Sequence, residues 1–326
     1  MHNQPPPSSS GGIQPPGAPA ANPNNQLIYW DASIAPNPSA PQFNDESRDP
    51  AGIWSVGGST TVSLSGHQVA LDDDTGFRST LSRHFYADIE TTHTDILLVI
   101  CAFVSGLVDG LAFNAWGSFA SMQTGNAVFL ALGVSGQPSR PEYRWAKSLI
   151  SLATYMLSSI TFIRVSRALG PRRRLTMVLS FGVQTALLFI AAMLIQCSVV
   201  SPEPEDVSAP MEWMQALPIA LLAFQAGGQI CASRTLGIEE IPTVVLTTLI
   251  CDLLVDPQLL AKTNYKRNRR AAAFLALFVG AMTAGGLTKI TEMVASLWFA
   301  MGLKLGITIA WLVWKPAGGR KKDVEG

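Results

Sequence analysis

The chain has 326 residues, 48% hydrophobic and 14% charged, with acidic and basic side chains in equal number. A typical soluble domain carries about 25% charged residues, so this composition argues against a globule surrounded by water on all sides. The formal charge of zero identifies no partner, because what orients a membrane chain is where its Lys and Arg fall.

Residues 1–76 are polar and rich in Pro, Ser and Asn. Such a segment buries too little apolar area to offset its chain entropy, so a disordered N-terminal tail is expected. Met1-His2-Asn3-Gln4 runs straight into Pro5-Pro6-Pro7 with no basic or apolar leader, so targeting is assigned to the first membrane helix rather than to a cleaved signal. Phe77, Leu81, Phe85 and Ile89 then recur every four positions. That spacing predicts a juxtamembrane amphipathic helix over 77–94, lying at the lipid headgroups or packed on the membrane domain.

Residues 95–315 hold the apolar runs. A bilayer core of about 30 Å needs about 20 helical residues. The segments 96–117, 146–163, 175–197, 215–233, 271–290 and 294–314 are taken as crossings, while 119–135 and 241–255 are short. The order long, short, long, long occurs twice at an offset near 120 residues, which predicts an internal repeat.

Charge decides the expected orientation. Arg164, Arg167, Arg172, Arg173 and Arg174 follow the third segment, Lys262, Lys266, Arg267, Arg269 and Arg270 precede the seventh, and Arg320, Lys321 and Lys322 close the chain. The 198–214 loop instead carries Glu203, Glu205, Asp206 and Glu212 with no Lys or Arg. The positive-inside rule places the basic clusters, including the 316–326 tail, in the cytoplasm and the acidic loop outside. The expected fold is therefore an all-α integral, multi-pass membrane protein of about six transmembrane helices. It has two short or broken segments, both termini inside, and two inverted-repeat halves of three crossings each. Arg140, Arg144 and Lys147 fall on the outer side, against the rule. Eight full crossings is the alternative.

Gly106-Leu107-Val108-Asp109-Gly110, followed by Met122-Gln123-Thr124-Gly125-Asn126-Ala127-Val128-Phe129, resembles the signature of the YoaK-like family, a membrane domain of unknown function found in bacteria and fungi. Leu221-Leu222-Ala223-Phe224-Gln225-Ala226-Gly227-Gly228-Gln229 is similar to that family's fifth region, and the resemblance covers roughly 95–315. It implies about six spans and no particular activity. The second short segment departs from the family's Thr-Gly and reads Leu246-Thr247-Thr248, and the long tail is an addition.

Ionisable groups at a helix centre cost about 2.5–3.5 kcal/mol on insertion scales, so those present need a reason. Asp109 lies well inside the first segment and Lys304 near the middle of the last. The sharp reading pairs them across a shared cavity or lets one carry a proton; the bland one makes each a hydrogen-bonding tie between helices. Asn114, Gln123, Thr124 and Asn126 cluster near Asp109, with Gln225 and Gln229 in the second half. Amides can line a path without the cost of charge. Gly125 would let the backbone bend, and a half-helix starting near Thr124 would aim its positive end at a bound anion. Gly106-x-x-x-Gly110 and Gly302-x-x-x-Gly306 read first as helix contacts.

No nucleophile–base set, no metal-ligand spacing and no cofactor motif stands out, and the four cysteines read as small hydrophobes in apolar runs. The expected activity is non-enzymatic, with no catalytic residue, no cofactor and no metal. The leading function is transport of a small solute or ion, with proton coupling as an option. Asp109, Asn114, Gln123, Thr124, Gly125, Asn126, Gln225, Gln229 and Lys304 are its path candidates. The rival is a membrane scaffold or sensor working through the N-terminal tail. Membrane lipids and an unknown small solute or ion are the expected partners, a homo-oligomer is allowed, and nucleic acid is not expected.

Overall fold

The computed structural model describes residues 73–137, 143–201, 212–238, 240–241, 243–244 and 246–317. The expectations for 1–72 and 318–326 lie outside them. Among the described residues the chain forms nine α-helices: α1 Asp73–Tyr86, α2 Thr94–Trp116, α3 Gln123–Val134, α4 Arg144–Leu169, α5 Arg174–Gln196, α6 Ala216–Leu236, α7 Leu246–Leu254, α8 Tyr265–Ile290 and α9 Met293–Val313. A single 3-10 turn, Trp213–Gln215, leads into α6.

Six helices, α2, α4, α5, α6, α8 and α9, are long and apolar enough to cross a bilayer. At 1.5 Å per residue they measure about 31–39 Å, against a hydrocarbon core of about 30 Å. The 12 residues of α3 and 9 of α7 reach only about 18 and 14 Å. The eight-crossing alternative fails on that length, and the six-crossing, all-helical membrane fold stands. Gly117 (φ 67°) ends α2 and Gly237 (φ 72°) ends α6. Both adopt the left-handed conformation that glycine takes without steric cost.

The expected amphipathic helix is displaced. α1 ends at Tyr86, so Ile89 leaves the helical stripe and is buried in extended backbone instead. There the Ile89 N–H donates to the Arg172 carbonyl (3.0 Å) and that of Glu90 to the Lys315 carbonyl (3.0 Å). Arg174 reaches the same place, donating to the His84 carbonyl (2.5 Å) and to that of Trp314. Residues 84–90, 172–174 and 312–317 therefore share one end of the bundle, here called the basic end. At the other, acidic end, Trp116 bonds the Ser201 carbonyl (3.4 Å), Lys147 bonds Gln215 (2.7 Å) and Trp298 bonds Gln196 (3.4 Å).

These ties fix the helix directions. Asp95 at the start of α2 meets Arg269 (3.2 Å) and Tyr265 (3.0 Å) at the start of α8, so α2 and α8 run parallel from the basic end. α4 and α6 run parallel from the acidic end, with Ser158 against Gly227 and Ser166 beside Thr235 (3.5 Å). α5 and α9 are antiparallel, joined by Thr185 and Thr308 (3.1 Å). The backbone of α2 approaches α8 most closely where Gly106 faces the Leu277 carbonyl and Gly280 faces that of Phe103; a methyl group at either position would overlap the opposing carbonyl. That is the small-residue contact expected of Gly106-x-x-x-Gly110. A methyl group added at Gly302 or Gly306, by contrast, would meet no atom within 4 Å, so the second pair makes no close helix contact among the described residues.

Two apolar clusters fill the bundle. One, toward the acidic end, includes Leu107, Leu111, Leu188, Leu222 and Leu297; the other, toward the basic end, includes Leu98, Phe181, Leu236, Ile307 and Trp311.

Candidate functional site

Between the two clusters lies a layer of polar side chains. Lys304, near the centre of α9, is fully buried. Its Nζ donates to Oε1 of Gln184 on α5 (2.6 Å) and to Oε1 of Gln229 on α6 (2.5 Å). Gln229 passes the chain on, its Nε2 donating to Oγ of Ser105 (2.7 Å) and to the Cys101 carbonyl (3.1 Å), both on α2. One connected set thus joins α2, α5, α6 and α9. The Phe181 ring lies 5.3 Å from Nζ and contributes the negative face of its quadrupole. Among the described residues no carboxylate pairs with Lys304. An ammonium has three donors, and two amide oxygens supply only partial negative charge. The layer is polar, desolvated and short of one negative charge.

A second network lies beside it at the break between α2 and α3. The extended turn 117–122 leaves backbone groups that no helix satisfies, which in a lipid-embedded protein must find partners inside. Asp109 supplies them: Oδ1 accepts the N–H groups of Ala120 (2.8 Å) and Ser121 (2.7 Å), and Oδ2 accepts the Ser121 hydroxyl. Asn126 does the same from α3. Its Oδ1 accepts from the Phe119 N–H (3.0 Å) and the Ser118 hydroxyl (3.1 Å), while Nδ2 donates to the Phe119 carbonyl (2.7 Å). Gln123 bonds the Ala120 carbonyl (2.8 Å), and Ser151 on α4 donates to that of Phe119 (2.7 Å).

A family model described as "Protein of unknown function (DUF1275)" matches residues 97–310, about two thirds of the chain. The chain belongs to that family. No curated protein and no solved structure matches it significantly. The DUF1275 assignment agrees with the resemblance read from Gly106-x-x-Asp109 and Thr124-Gly125-Asn126, and the structure gives those residues physical work. Gly106 admits α8, Asp109 and Asn126 hold the 117–122 turn, and Gly125 makes room for the Phe119 ring, 2.8 Å from where its Cβ would stand.

The candidates of this DUF1275 chain therefore divide. Gln229 and Lys304 meet in the central layer. Asp109, Gln123, Gly125 and Asn126 build the turn beside it, and the two sets do not bond through an Asp109–Lys304 pair: the carboxylate takes Ala120 and Ser121, the ammonium takes two glutamines. The N–H groups ahead of α3, expected to face a bound anion, are occupied by the protein's own carboxylate. Gln225 is buried, and among the described residues its Oε1 has no donor. Asn114 and Thr124 are exposed and join neither network. Lys147, placed on the outer side from sequence, is fully buried against Gln215, which in turn bonds Glu212 (3.1 Å). Gln184, Ser105 and Ser151 were not among the path candidates. For Gln184 a signal existed: it stands 120 residues before Lys304, the spacing of the suspected repeat.

Proposed function

We propose that this chain is a non-enzymatic transporter of a small solute or ion, built from two related three-crossing halves of opposite orientation. The observation that carries the reading is Lys304, a fully buried lysine at mid-bundle whose partners among the described residues are amide oxygens from two other helices and the Phe181 ring. A purely structural tie between helices is made more cheaply by amides alone, since a charge at this depth costs about 2.5–3.5 kcal/mol even on insertion scales. Sealing the polar layer between two apolar clusters is what an occluded binding site requires, and helix-centre polar groups are where transporters place their sites.

Several features support the repeat. α2 and α6 both end on a left-handed glycine, and α4 and α8 are each 26 residues long. Exchanging α2 with α6, α4 with α8 and α5 with α9 carries the α2·α8 contact onto α6·α4 and leaves α5·α9 in place. Each exchanged pair runs in opposite directions, as an inverted repeat demands. Gln184 and Lys304 are then counterparts meeting near the pseudo-two-fold axis. The positive-inside rule assigns the basic end, and with it both termini, to the cytoplasm.

The test is flux into liposomes carrying the full chain, across a panel of small neutral solutes, anions and cations, beside Lys304→Met. Flux of at least one species is expected in the wild type and a fall of at least about tenfold in the variant, the equivalent of about 1.4 kcal/mol on the barrier. Undiminished flux in a folded Lys304→Met protein refutes the role of the lysine.

A further inference from the structure

The bonds from Gln229 to Ser105 and Cys101 set the register of α2 against α6, which run in opposite directions. Asp109 stands one helical turn beyond Ser105, and Gln225 one turn before Gln229. One step toward the acidic end therefore brings Asp109 and Gln225 to the same level on facing helices. Both are buried, Asp109 at 4% exposure and Gln225 at 1%.

Their deficits match. Asp109 holds its carboxyl group away from water, and among the described residues its partners are the backbone N–H groups of Ala120, Ser121 and Met122 and the Ser121 hydroxyl, with no Lys or Arg. Gln225 presents a buried carbonyl oxygen that finds no donor among the described residues, which is expensive in a dry interior. A carboxylate oxygen and an orphaned amide oxygen are hard ligands of the kind that bind alkali cations. A single charge suits the surroundings, since Lys304 already adds one positive charge to the neighbouring layer and a divalent ion would leave an excess.

We propose that Asp109 and Gln225 bind one small monovalent metal cation, Na+ or K+, which acts as the coupling ion of the transport cycle. This rests on the transport reading above and deepens it. Gln184, Gln229 and Lys304 then face the solute, while Asp109 and Gln225 face the ion.

The experiment measures the thermal midpoint of the purified full chain in detergent against increasing NaCl, KCl or choline chloride at matched ionic strength. In Na+ or K+ the midpoint rises with concentration above that in choline. Gln225→Leu replaces the orphaned acceptor with an apolar side chain of similar size, so it folds at least as well. It nevertheless needs about tenfold more cation for the same rise, the loss of one ligand. Asp109→Asn loses the rise. Equal midpoints in all three salts, or an unchanged response in Gln225→Leu, overturn the proposal. The readout needs no flux: a cation-dependent rise without transport keeps the site and removes the transporter, while flux indifferent to Na+ and K+ does the reverse.

Discussion

Removing an acceptor from Lys304 should damage the protein more than removing the lysine. In Gln229→Leu the ammonium stays buried but keeps only Gln184 as a partner. Stranding a buried charge in this way costs about 3–5 kcal/mol. Lys304→Met leaves two amide oxygens unsatisfied, about 1–3 kcal/mol each. It also abolishes the cost of holding a charge at mid-bundle, about 2.5–3.5 kcal/mol, so its net effect falls between a gain of about 1.5 kcal/mol and a loss of about 3.5 kcal/mol. The double variant Lys304→Met/Gln229→Leu has no charge, leaves the Gln184 oxygen without its donor and, like Gln229→Leu, takes the amide from Ser105 and the Cys101 carbonyl, and it should be more stable than Gln229→Leu alone. Thermal midpoints of the four proteins in one detergent decide the order. If Lys304→Met is the least stable of them, or the double variant is no better than Gln229→Leu, the residue is not a desolvated cation and the account of the polar layer falls.

Other consequences are simpler. Gly280→Ala drives a methyl group into the Phe103 carbonyl and should cost about 1–3 kcal/mol, whereas Gly302→Ala points into open space and should gain up to about 1 kcal/mol of helix propensity; equal midpoints would refute the packing argument. The Gln258 N–H, the Asn264 amide and the Arg270 and Arg267 charges hold the Asp256 carboxyl below its ordinary value of 3.8. Its contribution is therefore present above about pH 4 and lost as pH falls through the lowered value. Hydrogen exchange over 258–264, corrected for intrinsic rates, should accelerate on acidification in the wild type and be pH-independent in Asp256→Asn. Cys197 and Cys251 are exposed and lie toward opposite ends. A membrane-impermeant maleimide should label Cys197 in intact cells and Cys251 only after permeabilisation. Labelling of Cys251 in intact cells inverts the orientation.

Legibility differed by residue type. The apolar runs marked every crossing to within a few residues, except that α4 and α8 each extend six residues further at one end. There Arg167 continues α4 and Lys266 to Arg270 begin α8, and a hydrophobicity criterion rejects those charges although a helix accommodates them. Ile89 was misplaced because its four-residue spacing fits a helix equally well; what removes it is a tertiary tie to Arg172. Lys304 and Gln229 were chosen as polar exceptions in apolar surroundings, and that reason holds. Asn114 and Thr124 were chosen the same way, yet they face outward. Linear proximity to Asp109 carries no information about which side of a helix end a side chain takes.

Composition and hydropathy alone determined a multi-pass helical membrane protein with six full-length apolar segments and two short ones, because the bilayer imposes one length and one polarity on every crossing; the helix lengths of α3 and α7 then excluded eight crossings. Only the tertiary structure decided which buried polar groups meet. Asp109 and Lys304 looked like partners on charge, but the unsatisfied backbone of 117–122 claims the carboxylate, and two glutamines from separate helices claim the ammonium. A hydrogen bond depends on positions within a few tenths of an ångström, and helix rotation, which sets those positions, follows from packing such as Gly106 on α8.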